Sequence, residues 1–194
     1  MDRRSSGRAV AQTTVVAKLA ELRRRGVVVR YLEGNRDYGI ARCYTGVAVD
    51  EASDAGLVER FGGTSLFAAH GDGINPADRQ YRLWRRVSRS APVWWMFRLV
   101  PATRRARLAE ALERRLRATN VGFKSHFPES AVRSWAARHL AAGHDAVVLG
   151  HFHVELDLTA AGRGRILVLP EWKGSRRHLQ VRTDGSLAFV DSVY

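Results

Sequence analysis

Residues 145–153 read Asp-Ala-Val-Val-Leu-Gly-His-Phe-His (DAVVLGHFH). An apolar run of strand length passes through one glycine into two histidines, His151 and His153, set two apart. A short apolar run bounded by a turn signal is the pattern of a buried strand, so the histidines sit in the loop just past it. The same construction recurs upstream. Thr64–Ala69 (TSLFAA) ends at His70-Gly71-Asp72, and Val27–Leu32 (VVVRYL) runs into Gly34-Asn35-Arg36-Asp37. Each time an apolar, predicted buried strand is followed at once by a polar, metal-competent cluster. An α/β sheet places its site at the carboxyl ends of its strands, so the three clusters belong to one site in an α/β fold.

Between the second and third strands, Ala77–Gly143 is helical by pattern, with Pro76, Pro92, Pro101 and Pro128-Glu129 as its punctuation. Upstream of the first strand, residues 8–25 predict a helix that ends in a basic turn, with Gly26 as its stop. After His153 the pattern returns to short strands at 154–158, 164–169, 178–182 and 186–191, with glycine-containing turns at Ala161–Gly164 and Asp184-Gly185. The order is α/β, helical insertion, β-rich tail, within a single expected domain over 1–194.

The bulk numbers agree. A chain of 194 residues with 45% hydrophobic side chains can bury an ordinary core. One cysteine, Cys43, precludes an internal disulfide and suits a reducing cytoplasm. The basic N-terminus is followed by no apolar h-region, and Ala91–Leu99, the longest apolar run, is too short to span a bilayer. The net charge of +13 is concentrated: Arg82–Arg117 holds eleven arginines against two glutamates, interleaved with Trp84, Trp94 and Trp95. Charge gathered in this way predicts an anionic partner, such as a phosphorylated substrate, a membrane surface or a nucleic acid.

Imidazole nitrogen and amide oxygen together suit manganese, iron or zinc. Each motif alone has a plainer reading, GNRD as an Asn/Gly turn and a lone histidine as a structural residue. His126, His139, His144 and His178 match no motif and read as ordinary surface or helix residues; Asp72 reads as an orienter of its loop. Trp84, Trp94, Trp95 and Phe97 suit either helix packing or an acyl-chain groove.

In the order GNRD (34–37), HGD (70–72) and GHFH (150–153), the motifs resemble the calcineurin-like metallophosphoesterases. Arg36, where most of that family has histidine, narrows the resemblance to the UDP-2,3-diacylglucosamine diphosphatases of lipid A synthesis. The Arg/Trp-rich insertion is similar to the lid of that group, and Asn120 and Lys124 resemble a polar pair of its substrate pocket. The resemblance covers roughly residues 27–190. It implies a metallophosphoesterase β-sandwich core flanked by helices, with a helical lid insertion. It implies Asn35, His70 and His151 as ligands of one Mn2+ and His153 as a ligand of a second. Arg36 would act in catalysis and on the substrate phosphate; Asn120, Lys124, Trp94 and Trp95 would complete the substrate site. The implied reaction hydrolyses UDP-2,3-diacylglucosamine to UMP and 2,3-diacylglucosamine 1-phosphate at the cytoplasmic face of the inner membrane, on an anionic lipid surface.

The chain departs from the family pattern at its beginning. No histidine precedes His70, and the carboxylates before Asn35 are Asp2, Glu21 and Glu33, none in an Asp-x-His or Gly-Asp motif. The expectation is therefore an N-terminally truncated fold that lacks the first strands and holds at most one Mn2+. Two rival readings follow: a phosphodiesterase acting on another nucleotide or nucleic acid, and a catalytically impaired relic or basic module that binds anions or membranes.

Overall fold

The computed structural model describes residues 3–35, 37, 40–76, 79–101, 104, 111, 127–159 and 164–192. The chain divides into two compact units, Met1–Leu57 and Val58–Tyr194.

In the first unit, helix α1 (Arg3–Arg24) stops where the sequence predicts. Gly26 takes φ +84°, its N–H donates to Arg23 O at 2.9 Å and that of Val27 to Leu22 O at 3.1 Å, a glycine-dependent close. Strand β1 (Arg30–Leu32) pairs in parallel with β2 (Glu51–Ser53), and helix α2 (Ile40–Tyr44) lies between them in sequence. This corrects the expected buried strand over 27–32: Val27 and Val28 stand outside β1 and are 47% and 67% exposed. A β-branched run favours extended backbone but does not determine what covers it.

The second unit is built on a mixed five-stranded sheet of β3 (Leu57–Phe61), β4 (Thr64–Ala69), β5 (Ala146–Leu149), β6 (Leu156–Thr159) and β7 (Arg165–Val168), in the order β3-β4-β5-β7-β6. β4, β5 and β7 run parallel, and β6 returns antiparallel to β7. After β4 come α3 (Arg79–Ser88) and α4 (Ala91–Leu99), then α5 (Glu129–Ala141). After β7 come the short α6 (Trp172–Ser175) and the antiparallel hairpin of β8 (Arg177–Val181) and β9 (Leu187–Asp191).

All four residues of β5 are buried, because each face of the sheet is covered. On one face Val147, Leu149 and Ile166 pack against Val132 and Ala136 of α5. On the other, Leu66, Ala146, Val148 and Leu167 pack against Leu179, Val181, Leu187 and Phe189 of the hairpin. Burying each of the valine, leucine and isoleucine side chains contributes about 1.5–3 kcal/mol. Helix α5, which the pattern groups with the insertion, thus belongs to the core.

The same interface holds two of the histidines read as ordinary surface or helix residues, His139 in helix α5 and His144 just after it. His139 stacks on Phe67 with ring centroids 3.9 Å apart and lies 4.2 Å from the Trp135 ring. Nδ1 of His144 is 3.0 Å from Ser65 Oγ. Both are packing residues, although neither sits in a motif.

Candidate metal centre

Parallel pairing of β4 with β5 aligns Ala69 with Leu149, so the two strands end side by side. The pairing runs one step past the strand ends, where Gly150 N donates to Ala69 O at 3.4 Å. His70 and His151, next along, meet edge to face with ring centroids 5.1 Å apart at 71°. Two residues far apart in sequence are thereby brought together by strand register alone.

The loop after β5 holds its histidines in an unusual backbone. His151 has φ +64° and His153 φ +58°, both left-handed without being glycine. Such conformations cost about 1–3 kcal/mol each and collect at functional sites. The side chain of His153 is 65% exposed, and its Nδ1 lies 3.9 Å from Oε2 of Glu171, the residue that opens α6.

The loop after β4 is held from two sides. Gly71, at φ +98°, lies so close to Phe152 that a Cβ there would stand 3.2 Å from the phenylalanine ring. Asp72 is buried, with its side chain only 3% exposed, and accepts hydrogen bonds from the Tyr81 hydroxyl and from Arg85 Nε at 2.9 Å. Burial alone would raise its carboxyl, but Tyr81, the Arg85 guanidinium and His70 outweigh that and hold it below the ordinary carboxylate range. Asp72 therefore orients its loop, as read from the sequence, through two partners that the reading did not identify. The signal was present in the i, i+4 spacing of Tyr81 and Arg85 just after the motif.

Asn35 belongs to the first unit, where Gly34 and Asp37 are joined by hydrogen bonds. Asp37 N donates to Gly34 O at 3.2 Å, and the Asp37 carboxylate accepts from Gly34 N at 2.9 Å and Tyr31 OH at 3.0 Å. Burial, with that carboxylate beside it, pushes the Tyr31 phenol up. Trp95 is 65% exposed on α4, a helix whose backbone also carries Trp94. Arg36, Asn120, Lys124 and the side chain of Trp94 lie outside the described residues. An open apolar groove of about 420 Å³, lined by Phe61, Leu66, Val148, Leu179 and Val181 among others, lies on the sheet face away from α5 and includes none of the candidate residues.

Among the described residues no group of three or more His, Cys, Asp or Glu side chains could hold a metal ion; the site offers the two imidazoles of His70 and His151. Imidazole as a donor suits manganese, zinc or iron. A 183-residue match covers 90% of the chain and 74% of a UDP-2,3-diacylglucosamine hydrolase from Pseudomonas putida, at 29% identity. The hydrolase of the same name from Neisseria gonorrhoeae is 26% identical over 82% of the chain and 75% of its own length. The chain is similar to the UDP-2,3-diacylglucosamine hydrolases. A third, from Pseudomonas entomophila, is 27% identical over 90% of the chain. No protein-family model matches. The resemblance drawn from GNRD, HGD and GHFH is borne out by these hydrolases.

Proposed function

We propose that the chain is a metal-dependent hydrolase of a lipid-linked sugar nucleotide, cleaving UDP-2,3-diacylglucosamine to UMP and 2,3-diacylglucosamine 1-phosphate in lipid A synthesis. The observation that supports it most is the His70–His151 pair at the ends of parallel strands, in a chain whose relatives carry the name of that reaction. In this reading His70 and His151 hold one Mn2+, and His153 serves a second. Bound manganese would supply Lewis acidity at the phosphoryl group. The oxygen of water adds to the uridine-side phosphorus, and the bond from that phosphorus to the bridging oxygen breaks. The electron pair leaves with the acylated sugar phosphate. Arg36 presents a guanidinium to the phosphate, a task that suits its planar fork, while Asn120 and Lys124 engage the polar part of the substrate. Trp94 and Trp95 line the path of its acyl chains.

The helical insertion suits a substrate that resides in lipid. Leu83, Trp95, Met96 and Leu99 are each more than 60% exposed on α3 and α4, among Arg82, Arg86 and Arg98. Apolar and cationic side chains mixed on exposed helices favour an anionic membrane surface. Among the described residues no helix is long and apolar enough to cross a membrane, so the proposed association is peripheral.

The deciding assay follows UMP release by phosphorus NMR from UDP-2,3-diacylglucosamine in detergent micelles. Release should require added Mn2+, stop with chelator and disappear in His151→Ala. A manganese-loaded chain that yields no UMP from this substrate would refute the reading.

A further inference from the structure

Asp72 joins the loop that carries His70 to the first helix of the insertion. Its carboxylate is almost fully buried and takes two hydrogen bonds, from Tyr81 and Arg85, both on α3. Those two residues are one turn apart and so leave the helix from the same face. A charge buried this deeply needs partners, because an unpaired carboxylate away from water is costly. On its other side the same loop has no room to retreat, since Gly71 already abuts Phe152 in the loop that carries His151. The His70 backbone is thus clamped between the His151 loop and α3.

Resting on the metal reading above, we propose that Tyr81 and Arg85 are positioning residues that, through Asp72, set the place of His70 opposite His151, so that docking of α3 sets manganese affinity. Neither residue needs to touch the ion. Groups that orient metal ligands from outside are commonly worth about 10- to 100-fold in affinity. Since α3 leads into the exposed Trp95 and Met96 of α4, the device links the surface that meets lipid to the centre that performs the chemistry.

The test is a Mn2+ titration followed by electron paramagnetic resonance on the full chain, with circular dichroism as the check on folding. Tyr81→Phe removes one hydroxyl, Arg85→Ala removes the guanidinium, and Arg133→Ala alters an exposed pair on α5 as control. Weakening of Mn2+ binding by about tenfold in Tyr81→Phe and in Arg85→Ala is expected, with unchanged circular dichroism, partial recovery in Arg85→Lys and no change in the control. A merely structural role would lower the melting temperature and leave affinity, measured well below it, untouched. Wild-type binding with equal affinity in both variants would overturn the clamp alone. A wild-type chain that binds no Mn2+ would overturn the metal reading and the clamp with it.

Discussion

His151 and His153 each occupy left-handed backbone that a histidine adopts at a cost. Nothing in a GHFH string specifies φ; the strain arises because the loop must leave β5 and turn at once. Asparagine, like histidine, enters that region several-fold more readily than most residues. His153→Asn should therefore leave the urea midpoint unchanged. Because groups outside the ligand shell already count for about tenfold, UMP release should fall by at least that much; a lower midpoint with unchanged release would contradict the assignment. His139 gives a second test at this scale. Burial, with His144 and Arg138 nearby, depresses its pKa below 6.5. The folded state then binds the proton less readily than the unfolded chain. This contribution to stability is present above pH 6.5 and lost as pH falls through the depressed folded value. Urea midpoints measured from pH 7.5 to 5 should decline, and the slope should flatten in His139→Phe.

At the scale of elements, the strands were legible where both neighbours along the chain were strong signals. β4 falls on the predicted 64–69, and β5 begins one residue late, at Ala146. Gly26 ends α1 as read. The buried strand at 27–32 was not legible, because the valines there resemble those of β5 in composition and differ only in what covers them. Nor was the role of α5, whose helical pattern is like that of the insertion but whose Val132 and Ala136 are fully buried on the sheet. Leu149 is fully buried and directly precedes Gly150. Leu149→Ala should cost about 2–5 kcal/mol in urea unfolding, while Val28→Thr should stay within about 0.5 kcal/mol. Equal effects would show that the core is elsewhere.

At the scale of the whole molecule, the sequence gives the charge and the order of motifs, whereas strand register brings His70 to His151. Tyr81 and Arg85 were legible as a helical i, i+4 pair, but their importance depends on a buried carboxylate that only the folded chain reveals. The +13 charge and the exposed apolar residues of α3 and α4 make a joint prediction. Co-sedimentation with anionic vesicles should be strong at low salt and fall as the screening length contracts to about 10 Å at 0.1 M; equal binding to neutral vesicles would remove the electrostatic share.

The central claim is that His70 and His151 share one ion, and it is tested most directly by counting manganese. Equilibrium dialysis of the purified chain against Mn2+, with metal and protein quantified together, should give one tightly held ion per chain. That ion should be lost in His70→Ala and in His151→Ala, with both variants still folded. Undiminished manganese in both variants would contradict the account.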